Sequence, residues 1–199
     1  MKITPVLQHI KSSSGNTMPV WEIEDFPIPN INIDECSIIG SLDQQNTAIT
    51  SSNKRLELSY NFSNIMKKEW EYDVNIFMEH MRTVGYNEYS IEYLWFDRLR
   101  KFAISPLIEH TTIICDRSGL NIGPHLDNRN MFGIMILNIV DNPPNTGTEF
   151  SKDENGNVLY TSPTQKKAGC FFINTHETWH SIKNMSDKNR YILYIPIGI

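Results

Sequence analysis

Alanine is nearly missing from this chain, standing only at 48, 103 and 168 among 199 residues. Isoleucine and asparagine are used heavily instead, a bias of AT-rich coding that points to a virus or small-genome microbe and is silent on chemistry. Cysteine is scarce too. Cys36, Cys115 and Cys170 are an odd number without CxxC spacing, which argues against a disulfide framework and a thiolate zinc site and fits a reducing compartment. No apolar run approaches the ~20 residues that span a bilayer. The opening residues Met1-Lys2-Ile3-Thr4-Pro5 lack an apolar signal core, so a cytoplasmic location is expected and the sequons at Asn61 and Asn184 carry no weight. A basic surplus is also lacking: 18 Lys and Arg against 23 Asp and Glu leave a net charge of −5, which argues against a protein that grips nucleic acid through its phosphates. The clusters Arg98, Arg100, Lys101 and Lys166, Lys167 read as solvated faces. With no internal repeat and no long Gly-, Pro- or Ser-rich linker, residues 1–199 are expected to form one domain.

What is present changes character near residue 105. Upstream, residues 18–50 mix Pro27 and Pro29 with short β-prone pieces. From Asn61 to Val84, Phe62, Ile65, Met66, Trp70, Val74, Phe77, Met78 and Met81 recur at spacings of three and four, one face of an amphipathic helix that Gly85 ends. A second helix is expected over Ser90 to Phe102, stopping ahead of Pro106. Downstream come short Ile-, Phe- and Tyr-rich strands: Leu107 to Cys115, Asn121 to Asp127, Phe132 to Val140, Glu149 to Phe150, Gly169 to Asn174, Trp179 to Lys183 and Arg190 to Ile197. Turn-forming clusters separate them. The fold class expected is mainly β, a jelly roll over 105–199 with an N-terminal extension, 1–104, whose two or more helices pack on one sheet.

His125-Leu126-Asp127 places two polar side chains two residues apart, on one face of a strand, where imidazole and carboxylate can meet one ion. A second histidine completing that pair leaves three positions of a six-coordinate metal open, the facial arrangement of non-heme Fe(II) oxygenases. A competitor lies downstream. His176-Glu177-Thr178-Trp179-His180 is a literal HExxH, the motif of zinc proteases. That motif works on a helix and needs a further ligand, whereas Phe171-Phe172-Ile173 leads into it with strand character and neither a glutamate nor a histidine follows His180. His180 is therefore taken as the third ligand, with His176 and Glu177 on the loop before its strand. Arg190 follows ten residues later across a turn. If the two strands form a hairpin, its guanidinium returns beside His180 with a planar, permanently charged set of donors suited to a carboxylate.

Over residues 107–197 these features resemble the Fe(II)- and 2-oxoglutarate-dependent dioxygenase superfamily, with its HxD, distal histidine and later arginine. Gly123-Pro124-His125-Leu126-Asp127-Asn128, Gly147-Thr148-Glu149-Phe150 and Trp179-His180-Ser181-Ile182 look like the prolyl-4-hydroxylase-like branch and its poorly characterised bacterial and phage relatives. The resemblance implies a double-stranded β-helix, Fe(II) held by His125, Asp127 and His180, 2-oxoglutarate held by Arg190, and a hydroxylase that uses dioxygen and releases succinate. Asp127 favours hydroxylation over halogenation, since relatives that halogenate carry a small residue there. Two departures stand out: Ile192 where many relatives have serine or threonine, and Ile122 where some have tyrosine. Further co-substrate contacts are expected from Asn121, by its strand parity with His125, and from Asn138. The substrate and oligomeric state are not legible, although the loop 128–131 and the segment 151–164 are where specificity is expected. Rival readings are a cupin-like protein that binds metal and ligand without turnover, and a zinc hydrolase built on HETWH.

Overall fold

The computed structural model describes residues 1–7, 18–42, 53–60, 111–127 and 131–197, with 68, 72, 73, 75–77 and 79. Twelve strands among them form two antiparallel sheets. They are β1 (Lys2–Pro5), β2 (Val20–Glu24), β3 (Ser37–Ser41), β4 (Arg55–Ser59), β5 (Thr112–Asp116), β6 (Leu120–His125), β7 (Gly133–Asn138), β8 (Glu149–Ser151), β9 (Val158–Thr161), β10 (Gly169–Ile173), β11 (His180–Asn184) and β12 (Arg190–Ile197). The larger sheet runs β1-β2-β10-β7-β12-β5-β4-β3, and the smaller runs β6-β11-β8-β9. From β5 onward, strands alternate between the sheets, except for the β8-β9 hairpin within the smaller one, in the order of a jelly roll.

The composition of the central strands explains their place. β7 (GIMILN) and β10 (GCFFI) are buried at every residue, as strands covered on both faces must be. One face of the larger sheet points into the barrel, where Ile114, Ile134, Ile136, Cys170, Phe172 and Ile192 meet Phe150 and Tyr160 of the smaller sheet. The other face packs Met135, Leu137, Phe171, Leu193 and Ile195 beneath Phe26 and Phe77.

Two expectations change here. The N-terminal extension supplies strands as well as helix, lengthening the larger sheet at both edges, with β1-β2 beyond β10 and β4-β3 beyond β5. Local pattern could not show this, since an edge strand is selected by the sheet it joins. The described positions between 61 and 84 are helical, and Phe77, fully buried, contacts Phe26 and Phe171 edge-on. The second expected helix, Ser90 to Phe102, lies outside the described residues, among which the only other helical turn is the short 3-10 segment Ile33–Glu35. The other is that β9 falls inside 151–164, where no strand was expected, and pairs with β8. No helix among the described residues is long and apolar enough to cross a membrane.

Candidate metal centre

Strands β6 and β11 pair so that His125 and His180 are direct partners, with ring centroids 4.3 Å apart. β6 ends at His125, so Asp127 sits just past the strand rather than within it, and its carboxylate turns back toward both rings. Asp127 Oδ1 is 3.8 Å from His125 Nε2, and Oδ2 is 3.4 Å from His180 Nε2. One ligand atom from each of the three residues lies within 4.8 Å of the others.

The imidazoles are oriented from behind. His125 Nδ1 is 2.9 Å from the Gly123 carbonyl and His180 Nδ1 is 3.0 Å from the Thr178 carbonyl. A carbonyl only accepts, so each Nδ1 carries the proton and each Nε2 presents a lone pair to the space between the residues. Phe172 and Phe150 hold the His180 ring, with centroids at 4.8 and 6.1 Å. Burial and the neighbouring His180 push the His125 imidazole down to about 4, so it is neutral at pH 7. Burial alone would raise the Asp127 carboxyl, but His180, His125 and Arg55 outweigh it and hold the group below the usual carboxylate range. Two imidazoles and one carboxylate, converging and largely buried, fit a divalent transition metal.

The HETWH competitor fails on geometry. Residues 176 and 177 form a turn, closed by Thr175 and Thr178 through hydroxyl contacts of 3.1 Å, and His180 opens a strand. His176 is exposed and not among the converging groups, so the i, i+4 pairing of a zinc-protease helix is not formed.

Arg190 reaches the interior by a route different from the expected hairpin. β11 belongs to the smaller sheet and β12 to the larger, so the turn between them crosses the barrel. Asn184 braces that crossing, donating to the Asp116 carbonyl at 2.7 Å and the Lys188 carbonyl at 2.9 Å. Arg190 is 1% exposed and shares its strand face with Ile192, inside the barrel. Its Nη1 pairs with Asp116 Oδ2 at 2.5 Å, its Nη2 donates to Thr148 Oγ1 at 3.3 Å, and its buried Nε has no hydrogen-bond partner. Burial lowers its pKa and Arg55 adds to that, against the pull of Asp116, but a guanidinium remains charged. Cys170, fully buried among Arg190, Ser162 and Thr148, has its thiol pushed up to about 12 by burial and stays protonated.

Asn121 and Asn138 are placed less favourably. Between the pairs His180–His125 and Ile182–Ile122 the register shifts, β6 taking three steps while β11 takes two. That bulge reverses the parity upstream. Ile122 is the fully buried residue, while Asn121 lies opposite Lys183, whose side chain is 47% exposed. Asn138 donates both amide hydrogens, to the Pro163 and Ala168 carbonyls at 2.8 Å, and accepts from Asn142 at 2.8 Å. It braces loops.

Sequence reasoning missed Arg55, Asp116 and Thr148. Arg55 and Arg190 both have Asp116 as their cross-strand partner, and Arg55 Nε lies 3.4 Å from Asp116 Oδ1, an ion pair without hydrogen-bond geometry. The signal available was the alternation in Arg55-Leu56-Glu57-Leu58-Ser59, which marks a half-buried strand without saying which barrel it joins. Gly147 sets Thr148 in place: a Cβ there would lie 2.0 Å from the Ser162 carbonyl oxygen.

No protein-family model matches this chain, and no curated protein matches it in sequence. Among solved structures it is similar in fold to a prolyl hydroxylase in complex with a hypoxia inducible factor oxygen degradation domain peptide fragment from Trichoplax adhaerens, with a TM-score of 0.59 and 14% identity over 90% of this chain and 83% of that one. At that identity the likeness establishes a shared fold.

Proposed function

We propose that the protein is a 2-oxoglutarate-dependent oxygenase that hydroxylates a substrate still to be identified, with His125, Asp127 and His180 as ligands of Fe(II) and Arg190 as the anchor of 2-oxoglutarate. The observation that carries this reading is the convergence of two Nε2 lone pairs and one carboxylate within 4.8 Å inside a jelly roll. Three protein ligands leave positions for a chelating co-substrate and dioxygen. When bound, Fe(II) and 2-oxoglutarate supply an oxidative decarboxylation that yields succinate and carbon dioxide and transfers one oxygen atom to a substrate carbon.

The residues of this chain bind, orient and exclude water. The Gly123 and Thr178 carbonyls hold the imidazoles in the tautomer that can ligate. Phe150 and Phe172 keep the His180 side dry. Across the barrel, Arg190 offers a carboxylate its Nε and Nη2 donors, and Thr148 supplies beside it the hydroxyl absent at Ile192. Asn121 and Asn138 are left out of the proposed co-substrate contacts, because one lies on the face of Lys183 and the other is engaged by backbone carbonyls. Among Arg55, Arg190, Asp116 and Asp127 the formal charges cancel. A divalent ion at the triad adds two positive charges that a dianionic 2-oxo acid offsets, and uncompensated buried charge is costly.

The test is anaerobic titration of Fe(II) and then 2-oxoglutarate into metal-free protein, followed by the weak visible charge-transfer band of the chelate. Arg190→Ala is expected to keep metal and lose the co-substrate, and His180→Ala to lose both. A well-folded protein that never develops the band would sink the assignment. Succinate release separates an oxygenase from a cupin-like protein that only binds. Because the structural neighbour was solved with a peptide, peptides containing proline are the first substrates to screen.

A further inference from the structure

Two guanidinium groups from flanking strands meet one buried carboxylate. Asp116, at the end of β5 and fully buried, has Arg55 of β4 on one side and Arg190 of β12 on the other, all three in cross-strand register. Its two oxygens are divided, Oδ2 to Arg190 and Oδ1 toward Arg55 at 3.4 Å. Without Arg55, the carboxylate would belong to Arg190 alone and would be free to swing onto its Nε–Nη2 edge with both oxygens, a paired geometry that guanidinium favours. With Arg55 present, Arg190 binds Asp116 through Nη1 alone. Its Nε stays without a hydrogen-bond partner although the side chain is 1% exposed, and Nη2 meets Thr148 at 3.3 Å. An unsatisfied charged donor at that depth is costly and calls for an anion.

We propose that Arg55, a strand residue from outside the jelly roll proper, is a positioning residue for the anion site: by dividing Asp116 it keeps the Nε–Nη2 edge of Arg190 open, and so sets the preference for a 2-oxo acid that carries a second, distal carboxylate. The inference rests on the reading of Arg190 given above. It makes the N-terminal extension part of the co-substrate site and predicts that Arg55 acts mainly on the distal end of the ligand, being the weakest of the charges felt at Asp127.

The experiment uses the full chain loaded with Mn(II), a redox-silent stand-in, and measures by calorimetry the binding of 2-oxoglutarate and of 2-oxobutyrate, which has the same chelating end and no distal carboxylate. The wild-type protein is expected to prefer 2-oxoglutarate. Arg55→Met should weaken 2-oxoglutarate about tenfold or more, the effect of losing one charge-assisted contact, and leave 2-oxobutyrate and Mn(II) within about twofold. Arg55→Lys, which keeps the charge, should recover most of the loss. Should the apolar side chain unfold the protein, Arg55→Gln carries the same expectation as Arg55→Met. A variant that weakens both acids alike, or neither, overturns the role given to Arg55 while leaving Arg190 intact. A wild-type protein that does not distinguish the two acids overturns the Arg190 reading and this one together.

Discussion

His125 and His180 share one device, an Nδ1 proton given to a carbonyl two residues earlier, and it decides their chemistry before any metal is present. Both motifs were legible as letters, but HLD and HETWH are equally literal. Only the strand at His180 and the turn at 176–177 separate the converging histidine from its neighbour. The same burial that shields the pair makes the metal-free protein acid-sensitive. His125 titrates near 4 when folded and near 6.5 when unfolded, so between those values the unfolded chain holds more protons and stability falls as pH falls. The loss amounts to roughly 3 kcal/mol, complete once pH drops below about 4. Urea unfolding of metal-free protein at pH 7.5 and 4 should show wild type losing about that much more than His125→Gln, and equal losses would contradict the assigned environment.

Elements, more than residues, depart from local reading. The bulge in β6 reverses which upstream side chains face the cavity, and the crossing between β11 and β12 sends Arg190 to the opposite sheet. Periodicity could not register either, because a bulge is one extra residue and a crossing looks like a hairpin turn in sequence. The helical state of the described positions between 68 and 79 was legible from spacings of three and four, and among them Phe77 packs against Phe26 and Phe171. Phe77→Ala is expected to cost about 3–5 kcal/mol, the range for a fully buried ring. Mn(II) affinity, measured on the folded fraction, should not change, because Phe77 packs on the sheet face away from the barrel interior.

At the scale of the whole molecule, strands from both ends of the chain share the larger sheet, and residues 1–199 are proposed to unfold as one domain. Ligands that bind only the folded form should raise that single transition. Mn(II) with 2-oxoglutarate, each at a hundredfold excess over its dissociation constant, should contribute about 2.7 kcal/mol per ligand. For a chain of this size each ligand should shift the midpoint by roughly 5–10 °C, read by scanning fluorimetry. Glutarate in place of 2-oxoglutarate, lacking the keto oxygen needed for chelation, should give a smaller shift. The sequence by itself determined the strand-rich C-terminal half, the three converging ligand types and an arginine at a usable distance, because alternation, turn chemistry and ligand identity are local properties. Tertiary structure alone decided that Arg190 looks across the barrel, that Asp116 stands between it and Arg55, and that Asn138 braces loops. Those outcomes depend on which strands become neighbours, and strand pairing is chosen by the burial of the whole sheet.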